Sequence, residues 1–319
     1  MKPPSISVVM PVFNGSRYLA KSMASILAQN CGDFEFIIVN DGSDDDSRNI
    51  LNAYRDPRIR LIDHQQNEGL TRSLIHATRE SRGRYIARQD SDDVSDPNRL
   101  GVQLAYMEAN PRVAAVGSWA LQIDDDGDEI ALLERETEPE KIRSRLPLEN
   151  QFHHGSVMFR RSALDEIGGY RAQFRFAQDY DLFLRFSLDF DLANIKQPLY
   201  SKRHSPEAVS IIHAGEQQSF SDLALELYRQ RLEKSCDDLD SGKTVDELLK
   251  KPVDKPRNYE KNLVNIYLRS DKCEKARPYI LNDIKTSPYH LKSYLQYGLT
   301  YLNRHMRDKL FRIWDQDAG

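Results

Sequence analysis

FEFIIVNDGSDDDS, residues 34–47, holds the pattern on which the fold turns. Its first six residues, FEFIIV, are a short run rich in β-branched and aromatic types, and read as a buried strand. Asp41-Gly42-Ser43 then supplies turn formers, and a polar helix is expected near 46–54. Upstream, ISVVM (6–10) reads as another buried strand, followed by a helix over 17–29 with Leu19, Met23, Ile26 and Leu27 on one face. Downstream come a short strand at 59–63, a helix at 70–82 and the strand RYIAR at 84–88. Pro97 then opens a helix that runs to about Asn110, where Pro111 stops it. Strands separated by helices imply an α/β fold with a parallel sheet covered on both faces.

Beyond residue 113 the pattern changes. Residues 113–121 and 129–133 read as strands around the acidic turn DDDGDE, and GSVMFR (155–160) as a further strand. A helix is expected over 178–190 and extended chain over 192–202. From 214 onward the chain reads as helical, with KKPVDKPRN (250–258) as a linker inside that region. In its last helices Leu291, Tyr294, Leu295, Leu299 and Leu302 form an apolar stripe, followed by a basic amphipathic end from Arg304 to Trp314.

Composition bounds the function classes. With 39% hydrophobic and 29% charged residues over 319 positions, the chain is globular. A net charge of −4 argues against nucleic-acid binding. It also means that a phosphate-rich ligand would need local positive charge, which a metal can supply. Cys31, Cys236 and Cys273 are too scattered for a zinc ribbon or a disulfide framework, which fits a reducing, cytoplasmic compartment. The start lacks the pattern of a signal peptide, and no stretch has the ~20 apolar residues of a membrane span.

Open parallel sheets bind ligands beyond the carboxyl ends of their strands. Three segments fall there: PVFNG (11–15), NDGSDDDS (40–47) and QDSDD (89–93). Each taken singly is as compatible with a plain loop. Asp90, Asp92 and Asp93 place three carboxylates within four residues, and these repel one another unless a cation lies among them. Hard divalent ions take oxygen ligands, and magnesium is held by one or two carboxylates plus substrate phosphates. Asp96 fills the role of capping the next helix. On the helix at 178–190, Asp179 shares the face of Leu182, Phe183 and Phe186, whereas Asp181 is rotated by about 200°. An acid on an inward face meets a cleft, or else pairs with the helix dipole. Lys202, Arg203 and His204 form a basic patch that could balance a diphosphate or could equally be a solvated loop.

DDDGDE lacks the ligand spacing of a calcium loop and reads as a hairpin turn; adjacent His153 and His154 cannot both face one metal from a regular strand. There is no G-x-G-x-x-G after the first strand, no P-loop and no G-x-S-x-G elbow. Dinucleotide cofactors, Walker-type NTPases and elbow hydrolases drop out.

Over roughly residues 5–205 the motifs together resemble family 2 of the glycosyltransferases. They run in order as ISVVMPVFNGSRYLAKSMASILAQ, FEFIIVNDGSDDDS, NEGLTRSL, GRYIARQDSDDVSDPNRL, HGSVMFRR, FAQDYDLFLRF and Arg203-His204. The resemblance implies an α/β GT-A, Rossmann-like fold with a mostly parallel sheet. It would comprise a catalytic domain over 1–213, with a nucleotide half to about 110 and an acceptor half from 111, and a helical extension over 214–319. It implies that Pro11 and Phe13 line a nucleobase pocket, that Asp41 bonds the base and that Asp92 meets the ribose or metal. Asp93 would ligate Mg2+ or Mn2+, with His204 assisting, and Asp179 would be the catalytic base. Phe13 stands where Tyr is frequent, and Gln178 where Glu often precedes the base. The implied reaction is metal-dependent, inverting transfer from a UDP-sugar or similar donor to a saccharide or lipid-linked acceptor, in bacterial surface polysaccharide or glycoconjugate synthesis. The basic end of the C-terminal helices could then contact the inner face of the cell membrane, whereas the reading that apolar helix faces favour has both stripes packed on each other or on the catalytic domain. Two other classes compete: a non-catalytic nucleotide-sugar binder or scaffold, and a sugar nucleotidyltransferase, which would release pyrophosphate.

Overall fold

The computed structural model describes residues 3–204 and 213–249, and then 264, 267–268, 273–286, 291–302, 304, 306–307 and 309–310. The linker at 250–258 and the end of the basic segment beyond Leu310 lie outside the described residues.

Two strands set the architecture. All seven residues of β1 (Ile6–Val12) and all seven of β2 (Phe34–Asn40) are buried. Side chains alternate across a strand, so the two faces feed two separate apolar layers. Ile6, Val8, Met10, Phe34, Phe36 and Ile38 pack with α1 (Ser16–Leu27), α2 (Ser47–Ala53) and α4 (Arg99–Ala109). Val9, Ile37 and Val39 pack instead with α3 (Leu70–Glu80), α5 (Pro139–Arg145), α6 (Arg161–Glu166) and α7 (Gln178–Asp189). Each fully buried aliphatic side chain here contributes ~1.5–3 kcal/mol by leaving water.

The remaining strands are β3 (Ile59–Asp63), β4 (Tyr85–Arg88), β5 (Val94–Ser95), β6 (Val113–Ile123), β7 (Glu129–Leu133), β8 (Met158–Arg160) and β9 (Asp191–Arg203). The sheet order is β3-β2-β1-β4-β8-β6-β9-β5, with β7 paired to β6. Strands β1 to β4 are mutually parallel, as expected, while β8 enters antiparallel between β4 and β6. The expected strand over 155–160 is shorter: His154–Ser156 form a 3-10 turn and only Met158–Arg160 pair. Glycine is required at 155 in this turn, because a Cβ there would collide with the Tyr200 hydroxyl and Asp90 Oδ2. The acidic hairpin turn is as expected, with Asp124 Oδ1 accepting from the N–H groups of Asp126, Gly127 and Asp128.

The chain divides into two compact units. The first comprises Met1–Leu121, Leu132–Arg203 and Gly215–Val253; the second comprises Gln122–Ala131, His204–Ala214 and Asp254–Gly319. Two helices of the C-terminal region, α8 (Ala214–Lys234) and α9 (Val245–Leu248), lend Phe220, Leu223, Leu227 and Val245 to the core of the first unit. In the second unit α10 (Cys273–Thr286) packs with α11 (Leu291–Leu299). The apolar stripe expected on α11 is divided: Leu299 is buried, but Tyr294 and Leu295 are exposed. Ser293, Gln296 and Thr300 are buried in their place. Hydrogen bonds from Ser293 to Asp283 and from Arg277 to Thr300 set that face against α10. Among the described residues no helix is long and apolar enough to cross a membrane.

Candidate active site

Strands β1, β2 and β4 deliver their following loops to one edge of the sheet, and hydrogen bonds join the first two. Asn14 N–H donates to Ser43 Oγ at 3.1 Å, Gly15 N–H to Ser47 Oγ at 3.0 Å and Ser16 N–H to Asp45 Oδ2 at 2.9 Å. Asn14 itself holds φ at 50°, a conformation that asparagine tolerates better than most residues. Pro11 lies buried in β1 opposite Val39, whereas Phe13 at the rim is 49% exposed.

Asp41 is heavily engaged. Its Oδ1 takes Glu68 N–H at 3.0 Å and lies 2.7 Å from His64 Nδ1, and its Oδ2 takes Gly69 N–H at 2.9 Å. The side chain therefore ties β2 to the loop entering α3. Asp45 is in a similar position. Burial opposes its charge, but bonds from Ser47 and Ser16 outweigh that and hold its pKa at about 2.

The loop after β4 is built differently. Gln89, fully buried, donates Nε2 to the carbonyls of Asp90 and Asp93 and accepts from Ser95 Oγ. From α1, Ser22 Oγ donates to the Asp90 carbonyl at 2.8 Å. β5 pairs antiparallel with β9, Val94 opposite Ser201 and Ser95 opposite Tyr200. These bonds fix the loop by its backbone and leave its carboxylates to their surroundings. Asp90 pairs with buried Arg88 at 2.6 Å, and that guanidinium with other nearby cations outweighs the burial penalty and lowers the Asp90 pKa. Asp92 has no such partner. Burial and the charge of Asp90 push it up to about 6. Asp93 is 3% exposed, and burial, then Asp92 and Asp90, raise its pKa well above the usual carboxylate range. Its Oδ1 accepts Arg203 N–H at 2.7 Å.

The end of β9 supplies positive charge, in keeping with the basic patch read from the sequence. Lys202 acts electrostatically on Asp90, Asp92 and Asp93. Arg203 Nε donates to the Asp92 carbonyl at 3.0 Å, with its guanidinium 4.1 Å from the Tyr18 ring centre. His204 follows directly, its N–H bonded to the Ile123 carbonyl at 2.9 Å, and it falls in the second unit. Among the described residues no three His, Cys, Asp or Glu side chains form a self-sufficient metal cage. The donor set is one of hard oxygens with raised proton affinity. It fits a divalent ion that takes its remaining ligands from a diphosphate.

Asp179 lies in the first turn of α7, after Ala177 in the left-handed conformation with φ at 51°. From Gln178 to Ser187 every residue is buried except Asp179. An apolar face thus fails to single Asp179 out, because the helix is buried nearly all round; its partial exposure does. Asp181 points elsewhere, as its rotation requires, but into the interior. It is 2% exposed and paired with Arg185 at 2.9 Å and Arg171 at 3.4 Å. Near Asp179 lie His154 and Tyr170, joined at 2.7 Å through Nε2 and the hydroxyl. Burial and then Arg88 hold His154 down to about 4, so it is neutral at physiological pH. Sequence reasoning had set His154 aside and had not reached Tyr170, Tyr200 or Arg88. Gly155 in HGSVMFRR was the available signal, since a glycine before a buried strand marks a close approach.

Residues 7–168 match the family described as glycosyl transferase family 2. The Bacillus subtilis (strain 168) protein EpsE, named as a glycosyltransferase, is 37% identical over 212 residues, which is 64% of this chain and 75% of that one. The Escherichia coli O-antigen biosynthesis glycosyltransferase WbnJ is 36% identical over 183 residues, covering 56% and 70% of the two chains. Among solved structures, S. aureus TarS 1–349 in complex with UDP superposes with a TM-score of 0.54 at 18% identity, covering 97% of this chain and 91% of that one. The mannosyltransferase PcManGT from Pyrobaculum calidifontis, in complex with GDP-Man and Mn2+, gives 0.53 at 15%, covering 99% and 88%. At such identities the structures speak for the fold alone, which is the GT-A type. With half its length matched and 75% of EpsE covered, the chain belongs to glycosyl transferase family 2.

Proposed function

We propose that the protein transfers a sugar from a nucleoside diphosphate sugar to an acceptor hydroxyl, with inversion and with the help of a divalent cation. The observation that carries this reading is the partial exposure of Asp179 within a stretch, Gln178 to Ser187, that is otherwise buried. It is supported by a cluster of carboxylates, Asp90, Asp92 and buried Asp93, in which desolvation and mutual repulsion make Asp92 and Asp93 receptive to positive charge. The UDP complex of TarS and the GDP-Man and Mn2+ complex of PcManGT support a nucleotide-sugar donor and a cation. The names of EpsE and WbnJ suggest a saccharide acceptor in bacterial polysaccharide synthesis. A UDP-sugar is the donor of choice.

In this reading Phe13 offers an apolar face to the nucleobase beside Pro11, and Asp41 shapes that pocket through the loop at 68–69. Asp92 faces the ribose or the cation. Asp93 would hold a magnesium or manganese ion, which when bound neutralises charge growing on the departing diphosphate. Lys202 adds fixed positive charge. Asp179 takes the proton from the acceptor hydroxyl as its oxygen attacks the anomeric carbon. The bond from that carbon to the diphosphate oxygen breaks, and its electron pair leaves with the nucleoside diphosphate. Attack from the side opposite the leaving group inverts the centre. Exposed Lys292, Arg304 and Lys309 suit peripheral contact with an anionic membrane that carries a lipid-linked acceptor.

The test compares two acids on one helix. Asp179→Asn should keep UDP binding by calorimetry while lowering nucleoside diphosphate release from a panel of UDP-sugars by about 100-fold or more. Asp181→Asn should instead lower thermal stability by about 3 kcal/mol, because it breaks a buried ion pair, and should leave turnover per folded molecule near wild type. Full turnover by Asp179→Asn would remove the base from this scheme. Pyrophosphate in place of nucleoside diphosphate would favour nucleotidyl transfer.

A further inference from the structure

Asn150 takes no part in the reaction as described, yet its side chain reaches the proposed base. Its Nδ2 donates to Asp179 Oδ2 at 2.9 Å, and its Oδ1 accepts the Phe152 backbone N–H at 3.1 Å. The second bond determines the first. A backbone N–H can only donate, so the atom facing it must be the carboxamide oxygen. The atom facing Asp179 is then the NH2 group, which has protons to give and no lone pair to offer. The contact therefore requires Asp179 Oδ2 to be an acceptor.

The segment that carries Asn150 is held on two sides. The Phe152 ring packs on Phe183, one turn further along α7 than Asp179, with ring centres 4.5 Å apart. The Gln151 carbonyl accepts Asn194 Nδ2 from β9 at 2.9 Å, and Asn194 is buried. With the chain fixed at 151 and 152, the Asn150 amide has little freedom to swing away from the helix.

We infer that Asn150 is a positioning residue of the transfer reaction, holding Asp179 Oδ2 so that the acceptor proton arrives on Oδ1. This rests on the reading of Asp179 as the base. A carboxylate free to rotate about χ2 presents either oxygen at any angle, whereas one tethered oxygen leaves the other with a defined direction. Small errors of placement at a reacting centre are costly, so the tether matters more for turnover than for folding. Once the proton is on Oδ1, Oδ2 still accepts from the amide, and the tether survives the step.

The groups that share electrostatics with Asp179 are His154 and Tyr170, which in turn feel Arg88 and Asp90. Burial keeps the His154 imidazole neutral and pushes the Tyr170 phenol up. Neither changes charge between about pH 5 and 9, so neither adds a charge step of its own to a signal followed across that window.

The experiment follows the Asp179 side-chain carboxyl carbon by NMR against pH in full-length protein labelled at aspartate, with Asp179→Asn identifying the signal. Asn150→Asp keeps the acceptor for Phe152 N–H but turns a carboxylate toward Asp179. Its Asp179 signal should titrate at least one pH unit higher than in wild type. Asn150→Ser retains a short acceptor for the turn and cannot reach Asp179, so it should give a smaller upward movement. Both should melt within a few degrees of wild type. With a turned-over UDP-sugar, both should lower kcat about tenfold with the donor KM unchanged. Identical titration curves in all three proteins, alongside an inactive Asp179→Asn, would overturn the role of Asn150 alone. Full turnover by Asp179→Asn would overturn the base reading and this role with it.

Discussion

In the loop after β2, Asp41 and Asp45 accept hydrogen bonds from backbone and side-chain donors in neighbouring segments, and for Asp45 these bonds outweigh burial. In the loop after β4, half-buried Asp92 and buried Asp93 lie beside each other and near Asp90, and their affinity for protons is raised. In sequence the two loops look alike, as short carboxylate-rich turns at the ends of buried parallel strands. The first spends its charges on tying loops together. The second is fixed by its backbone, through Gln89, Ser22 and the β5–β9 pairing, and keeps its charges concentrated. A turn whose acids are met by donors gains from being charged, and a turn whose acids crowd one another is strained by it. Neutralising one acid in each loop should therefore have opposite consequences.

The largest effect is expected at Asp93. Asp93→Asn should leave the fold intact and lower turnover by about a thousandfold, since stabilising the leaving group through a metal is worth several kcal/mol. Chelator should do the same to wild type, with magnesium or manganese restoring activity. Full turnover in excess chelator would erase the contrast between the loops.

Next comes the pH dependence of metal-free stability. Asp92 has a folded pKa of about 6 against the ordinary aspartate value of 3.8, so the folded state binds the extra proton between those values. Its contribution is fully present below about pH 4 and is lost as pH rises through 6. In chelator, Asp92→Asn should exceed wild type in stability by about 2 kcal/mol at pH 7.5, and the gap should narrow as pH falls through 6 and close below about pH 4. A variant less stable than wild type at pH 7.5 would mean that the carboxylate has a partner the geometry does not provide.

How much of this was legible in the sequence follows from the physics of each feature. Strands β1 and β2 were plain because burial on both faces demands an unbroken apolar run. The short β5 was not, because two residues carry no periodicity, and its existence depends on β9 more than a hundred residues away. The acidic loop could be found because like charges at close spacing need an explanation wherever they occur. The difference between Asp41 and Asp93 was invisible, since it lies in which distant N–H groups arrive: Gly69 for one, Arg203 for the other. Asp179 was picked out by a facial argument that the buried helix does not support. The choice is kept here on its partial exposure and its neighbours. The stripe on α11 failed for a related reason, because hydrogen bonds from Ser293 and Arg277 orient that helix in place of its leucines.

The smallest effect belongs to Asp45, and it tests the other half of the comparison. Its carboxylate accepts Ser16 N–H and Ser47 N–H, both at 2.9 Å, and so joins the loop after β1 to the start of α2. Hydrogen bonds to a charged acceptor are worth ~1.5–3 kcal/mol each when buried, and less at a site in partial contact with water. Asp45→Asn retains one acceptor oxygen and loses the charge, so a loss of about 1 kcal/mol is the reasonable scale. Because the folded pKa of about 2 lies below the ordinary aspartate value of 3.8, the contribution of Asp45 is present above pH 4 and disappears as pH falls through about 2. Denaturant melts of wild type and variant should therefore differ at pH 7 and converge as pH falls through about 2, with no dependence on chelator. Convergence at neutral pH, or a variant more stable than wild type, would place Asp45 with the strained carboxylates after β4 and dissolve the distinction between the two loops.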